Sequence, residues 1–190
     1  MSERSRAAFA RLLDQVSIRQ ATLADVEVIA RHRAAMYRDM GVITPEAAAR
    51  LIVATEAYLR EATPRGEYVG WLASVDAATD AVVAGVGVQR RRTLPAPRRR
   101  PDGAVHITEG RQAIVVNVYT EPAFRRRGLS YRLMLELLGW ARATGLESLV
   151  LHASPDGRAL YERLGFSPTN EMRFSGDLST WTAPEARDPE

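Results

Sequence analysis

Residues 124–132, FRRRGLSYR, place three arginines, a glycine and a small hydroxyl residue directly ahead of an apolar run. A helix that begins at Gly128 exposes backbone N–H groups without carbonyl partners, together with the positive end of its dipole, and both favour anions. Glycine at the entry lets those amides approach a phosphate with no Cβ in the way. The guanidinium groups of Arg125, Arg126 and Arg127 add charge-assisted hydrogen bonds. The segment has the outline of a diphosphate cradle. A solvated Arg-rich turn is the other reading of RRRG, and its surroundings must decide between them.

Those surroundings are a strand before and a helix after. AIVVNVYT (113–120) reads as a strand that ends near Thr120, and the chain then turns through EPAFRRR. GLSYRLMLELLGWARATG (128–145) is the clearest helix in the chain. Leu129, Leu133, Leu137 and Trp140 fall on one stripe flanked by Met134, Leu138 and Ala141, while Arg132, Glu136 and Ala143 lie opposite. Leu129 points into the core and anchors the turn, and Gly145 is a helix stop. SLVLHAS (148–154) reads as the next strand. A strand, a helix and a strand over 113–154 predict a right-handed crossover with parallel strands.

The remaining segments build the scaffold. SIRQA (17–21) is a short strand, and Thr22 caps a helix that Gly41 ends, with Asp25 at its third position. Thr44 and Pro45 open a second helix over TPEAAARLIVATEAYLREA. EYVGWLASV (67–75) and AVVAGVGVQ (81–89) alternate as a hairpin across DAATD. Residues 90–110, with two Arg triplets, Pro and Gly, read as a long exposed loop. DGRALYERLG (156–165) is a short helix, and FSPTNEMRFSG holds one or two closing strands. The expected organisation is a helical extension over 1–16, one α/β domain over 17–178 and a tail over 179–190.

Composition narrows the chemistry further. The chain has 190 residues, enough for one domain with a real core. It has no cysteine and three scattered histidines, so neither a disulfide framework nor a metal site is expected. No apolar stretch is long enough to span a bilayer, and the N-terminus lacks the apolar region of a secretory signal, so a cytoplasmic location and no membrane partner are expected. The net charge is +3 and every basic residue is arginine. Any anion site must therefore be built from guanidinium groups and backbone amides.

With its context, the cradle resembles the acetyl-CoA motif of the GCN5-related N-acetyltransferase (GNAT) superfamily, Arg/Gln-x-x-Gly-x-Gly/Ala. Arg125, Arg126, Arg127, Gly128, Leu129 and Ser130 match it behind Glu121-Pro122. Gly157 to Phe166, GRALYERLGF, resembles a second signature of that family, A-x-x-LYEKxGF. Ile18–Asp25 resembles its leading IR-x-A-x-x-x-D, and the resemblance covers about residues 17–175. Ser130 stands in place of a glycine or alanine, Thr120 in place of a frequent valine, and SPDG in place of a frequent asparagine.

The resemblance implies a mixed central sheet of about six or seven strands flanked by about four helices, with acetyl-CoA as cosubstrate. It implies that the backbone of Val118, Tyr119 and Thr120 pairs with the pantetheine arm. The pyrophosphate then sits on amides of residues 126–131, from Arg126 to Tyr131. Tyr161, the tyrosine of LYER, acts as general acid toward the CoA sulfur. Transfer from a phenol of pKa about 10 to a thiolate of about 8.5 is uphill by roughly 2 kcal/mol, so either the site narrows that gap or Tyr161 chiefly donates a hydrogen bond.

The acceptor amine must lose a proton. Val150, His152 and Ser154 share one face of strand 148–154, and His152 has a suitable ordinary pKa. A structural strand histidine is an equal reading of it, and Glu121 or an ordered water compete for the role. Asn117 and Tyr119 either line the same cleft or pack. Met36 and Tyr37, in AAMYRDMG, are the residues of the first helix expected at the acceptor, a small amine or peptide. Two other functions stay open, namely nucleic-acid binding through residues 89–101 and a silent acyl-CoA-binding regulator. QRRRTLPAPRRRP has no aromatic residue for stacking, which disfavours the first. A homodimer is also kept open.

Overall fold

The computed structural model describes residues 16–75, 81–99, 102–172 and 179. The chain divides into two compact units, Met1–His152 and Ala153–Glu190. The first contains β1 (Ser17–Gln20), α1 (Val26–Asp39), α2 (Pro45–Ala62), β2 (Tyr68–Ser74), β3 (Val82–Arg92), β4 (Pro97–Arg99), β5 (Val105–Ile107), β6 (Arg111–Thr120), α3 (Leu129–Ala143) and β7 (Ser148–Leu151). The second contains α4 (Arg158–Arg163). The expected extension and tail lie almost wholly outside the described residues. No helix among the described residues is long and apolar enough to cross a membrane.

The main sheet has the order β1-β2-β3-β6-β7. Its first three pairings are antiparallel, and β6–β7 is parallel, as the strand–helix–strand pattern predicts. This is the expected mixed α/β architecture with four α-helices. It has five described strands in the sheet, plus a separate two-stranded sheet, β4–β5. Of the expected closing strands, residues 166–172 form none, and 173–176 lie outside the described residues.

Entry into α1 is fixed by the motif that opens the sequence match. Arg19 grips Asp25 through two hydrogen bonds of 2.8 and 2.7 Å. Asp25 also accepts from the Thr22 backbone N–H at 2.8 Å, closing a capping box around a single 3-10 turn. Thr44 caps α2 through the Ala47 amide, with Pro45 in the first turn.

Two cores form on the sheet. Val26 and Ile29 of α1, Leu59 and Ala62 of α2, and Tyr68 and Leu72 of β2 make one cluster. On α3 the predicted stripe is buried at Leu129, Leu133, Met134, Leu137 and Ala141. Trp140 meets Trp71 of β2 edge to face at 5.3 Å. Leu72, the neighbour of Trp71, faces the α1–α2 cluster, so β2 is covered on both sides. Tyr68 lies flat across the sheet, because a Cβ on Gly87 would stand 2.3 Å from its hydroxyl oxygen. Gly87, with Gly70 of β2, is thus the floor for an aromatic ring.

Two expectations are corrected. Residues 90–110 are not a long loop. β3 runs on to Arg92, with Arg90, Arg91 and Arg92 opposite Ala113, Gln112 and Arg111, and β4 and β5 pair antiparallel, Pro97 opposite Ile107 and Arg99 opposite Val105. Charge hid the strand, since an arginine on an exposed strand keeps its backbone in the ladder while its long stem lies along the surface. The last strand of the first unit ends at Leu151 instead of Ser154. His152 lies beyond the ladder, and the alternation invoked for it does not apply. Ser154 instead caps the turn that leads to α4, accepting from the Gly157 amide.

The Arg19–Asp25 pair should be visible in solution. Its guanidinium partner holds the Asp25 carboxyl down at about 2, below the ordinary 3.8. Its stabilisation is therefore present above about pH 3.8 and lost as pH falls toward 2. Asp25→Asn should lower the unfolding free energy at pH 7 by about 2–4 kcal/mol, read from the denaturant midpoint. An unchanged midpoint would show that α1 enters by other means.

Candidate active site

β6 is the strand around which the site is built. It pairs with β3 along its whole length, but its ladder with β7 runs only from Gln112 to Val115. Beyond Val115 the strand has β3 on one side and no described strand on the other. A bulge falls in the same place. Gly85 opposes Tyr119 and Gly87 opposes Val116, so Asn117 and Val118 together face Val86, and Asn117 takes φ 56°. After the bulge the side-chain parity changes. Tyr119 stacks on His32 of α1 at 5.0 Å, while the Thr120 hydroxyl meets the Ser130 hydroxyl of α3 at 2.9 Å. Val118–Thr120 therefore present a one-sided backbone edge where a ligand's amides can pair.

The loop after β6 leads to the head of α3. A short 3-10 turn, Pro122–Phe124, carries the chain past Glu121. Arg126 takes φ 61° and Gly128 φ 78° on either side of Arg127, two left-handed residues that turn the backbone into the helix. Gly128 caps α3 without a side-chain hydrogen bond to the first amides. Nothing lies within 4 Å of where its Cβ would be, so the approach to those amides is open. The first closed helical bond is from the Arg132 amide to the Gly128 carbonyl, which leaves the earlier amides without an i−4 partner.

The three arginines divide their roles. Arg125 turns inward. Its Nε donates to the Thr120 carbonyl at 3.0 Å, its guanidinium is hydrogen-bonded to Asp39 at the end of α1, and it lies 5.6 Å over the Tyr119 ring. It fastens the loop to α1 and β6. Arg127 lies over Phe124 at 5.4 Å. Ser130 spends its hydroxyl on Thr120. Of the expected anion ligands, the backbone at Gly128 is approached openly and Arg126 is exposed.

A second concavity, of about 260 Å³, lies between α1, α2 and the sheet. From α2 it is lined by Leu51, Ala54, Thr55, Tyr58 and Leu59, an i, i+3, i+4, i+7, i+8 stripe. Val116 and Asn117 both line it, which regular alternation forbids and the bulge allows. Arg33 of α1 donates from Nη1 to Asn117 Oδ1 at 2.6 Å and packs on the Tyr37 ring at 5.1 Å. Tyr68 lines the same cavity, and its hydroxyl pKa is pushed up to about 12 mainly by burial. Gln89 Nε2 donates to the Tyr58 hydroxyl at 2.9 Å. Asn117, expected either to line a cleft or to pack, lines this cavity. Tyr37 reaches it only through Arg33, and Met36 is not among its lining. Sequence reasoning missed Arg33, Tyr58 and Tyr68, although the spacing of polar Thr55 and Tyr58 on an otherwise apolar α2 stripe was a usable signal.

His32 sits beneath the end of β6. Its Nε2 is 3.3 Å from Glu121 Oε1. The carboxylate favours an imidazolium, but Glu121 is 41% exposed and solvent-screened, while the His32 side chain is 6% exposed. Burial therefore wins, with Arg31 adding to it, and holds His32 down at about 4. At neutral pH the imidazole is therefore uncharged, with Nε2 beside the Glu121 carboxylate. In the second unit, Tyr161 is buried against Phe166, with ring centroids 6.1 Å apart, and burial raises its pKa. Gly157 makes room for it, since a Cβ there would stand 2.9 Å from the Tyr161 ring. His152 is exposed.

Known proteins place this arrangement in a family. The Acetyltransferase (GNAT) family model matches residues 36–166, and the chain belongs to that family. It is similar to a GCN5-related N-acetyltransferase from Ralstonia eutropha JMP134, at 29% identity over 84% of this chain and 97% of that one, with TM-score 0.71. It is also similar to a protein from Clostridium acetobutylicum described as a predicted acetyltransferase with acetyl-CoA, at 20% identity, 85% and 96% coverage and TM-score 0.68. A possible acetyltransferase from Clostridium difficile 630 aligns at 16% identity, 86% and 98% coverage and TM-score 0.64. No curated protein matches. Acyl transfer from acetyl-CoA is the general chemistry of the family.

The buried imidazole has a measurable consequence. Between its ordinary 6.5 and about 4, the unfolded chain holds a proton that folded His32 refuses, so stability falls as pH falls through that window. The loss is on the order of 3 kcal/mol. His32→Gln should remove that part of the pH dependence from chemical denaturation curves. An equally steep variant would show that His32 is not the group responsible.

Proposed function

We propose that this protein is an acetyl-CoA-dependent N-acetyltransferase that transfers acetyl directly to a primary amine of a small molecule or peptide. The observation that carries the reading is the junction of an open strand edge, Val118–Thr120, with an uncapped helix head at Gly128. The first suits an amide-bearing arm and the second a diphosphate, and they occur in the order in which coenzyme A carries them. Backbone from Arg126 to Tyr131 would hold the diphosphate, and the exposed Arg126 guanidinium adds charge at the rim.

In the reaction the amine nitrogen forms a bond to the thioester carbonyl carbon. The carbon–sulfur bond breaks, the amine proton passes to a base and the sulfur leaves as a thiolate. The chain has no cysteine to carry an acyl intermediate, which favours direct transfer. Tyr161 is assigned to the sulfur by the LYER motif. Burial raises its pKa, so the phenol keeps its proton and stabilises the thiolate by donating a hydrogen bond more readily than by full transfer. His152 is one acceptor of the amine proton. Glu121 is the second, at the end of β6 with its carboxylate 3.3 Å from His32 Nε2.

Gly128→Val should weaken CoA binding by on the order of 100-fold, measured by calorimetry, because it fills the open approach to amides whose bonds to phosphate are each worth about 1.5–3 kcal/mol. Undiminished affinity in a folded variant would remove the cradle. Tyr161→Phe should lower kcat on the order of 100-fold with CoA affinity nearly intact. Equal loss in both would make Tyr161 a packing residue.

A further inference from the structure

We infer that the acceptor is a small amine that also carries a carboxylate, of about amino-acid size, and that Arg33 is the residue that selects it. The inference rests on the acetyltransferase reading and assigns the 260 Å³ cavity between α1, α2 and β6 as the acceptor site. Asn117 belongs both to that cavity and to the stretch of β6 beyond the β7 ladder, so the cavity borders the edge assigned to the pantetheine arm.

The polarity of the cavity decides the class. Its only charged lining group is a guanidinium, and no carboxylate lines it among the described residues. Arg33 is held in place by an amide oxygen, Asn117 Oδ1 at 2.6 Å, and by the Tyr37 hydroxyl at 3.4 Å. Both are neutral, so neither offsets its charge. One hydroxyl nearby is turned toward donation. Tyr58 accepts from Gln89, so its phenol keeps its own proton for a ligand. A half-enclosed site with one fixed cation and a phenolic donor attracts a single anion and repels a polycation. A guanidinium fork matches a carboxylate in two parallel bonds. Opposite it, Leu51, Ala54, Leu59 and Val116 offer an apolar wall for the rest of the molecule. The volume is at the low end for ligand sites, which suits an amino acid better than an aminoglycoside or a nucleotide.

The test is thiol release by the full-length protein with acetyl-CoA and a panel of acceptors. The panel contains free amino acids with apolar side chains, their amides and decarboxylated amines, a hexosamine phosphate, spermidine and an aminoglycoside. Free amino acids should exceed their amides in kcat/KM by about 10- to 100-fold, through KM. Arg33→Met should erase that difference, Arg33→Lys should restore part of it, and CoA affinity should stay unchanged in both. A parallel binding arm titrates N-acetyl amino acids and their amides into the CoA-loaded protein, so the outcome does not depend on finding the best acceptor. Equal treatment of acids and amides in both arms, or preference for spermidine, the aminoglycoside or the phosphate, overturns the inference and leaves the acetyltransferase reading standing. Failure of that reading shows separately, as absence of CoA binding sensitive to Gly128→Val.

Discussion

A β-strand can hydrogen-bond on two edges, and β6 uses both for only half its length. From Gln112 to Val115 it lies between β3 and β7, and from Val116 onward β3 is its only strand neighbour among the described residues. A run of backbone donors and acceptors beyond that point must be met by water, by another segment or by a ligand. The bulge at Asn117 makes the opening specific, because the extra residue tightens the local twist and changes which side chains face the helices. Several of the residues considered for function in the first unit lie on this half-strand or are tied to it. Asn117 enters the cavity, Tyr119 rests on His32, Thr120 holds Ser130 and Arg125, and Glu121 meets His32.

The surrounding charges are arranged to keep that half-strand rigid without filling it. Arg125, first in line for an anion by sequence, instead bridges Thr120, Tyr119 and Asp39, linking the end of β6 to the end of α1. Its charge is largely answered within the protein. What remains for a diphosphate is mostly uncharged, namely peptide N–H groups at the head of a fifteen-residue helix whose dipole points the same way. Such a site is preorganised, because its donors do not have to give up rotamer freedom to bind. The cavity proposed for the acceptor has the opposite design, with a side-chain cation clamped between neutral partners.

Much of this was legible in the sequence, and the reasons differ between elements. Amphipathic periodicity fixed α3, and the caps at Thr22, Thr44 and Gly128 fixed where helices begin, because a cap's chemistry is local. The Arg-rich stretch 90–110 was misread because charge obscures a strand whose pairing is set by a partner twenty residues away. His152 was placed on a strand that ends one residue earlier, since β7 lasts only as long as β6 lies straight beside it. The bulge, the floor of glycines under Tyr68 and the encounter of Arg33 with Asn117 are eighty-four residues apart or otherwise non-local, and no periodicity announces them. The parts of the proposed amide cradle could be seen in the sequence because they are consecutive; those of the proposed acceptor cavity could not, because they meet only in the folded chain.

The central claim is that peptide amides at the head of α3, with the free half of β6, receive coenzyme A. Amide-resolved NMR titration tests it most directly, using coenzyme A, its adenosine-diphosphate half and pantetheine alone. The account predicts that the diphosphate-bearing ligands move the amides of residues 126–131, and that pantetheine moves those of Val118–Thr120 while sparing the helix head. Saturable binding that leaves both segments unmoved would contradict it.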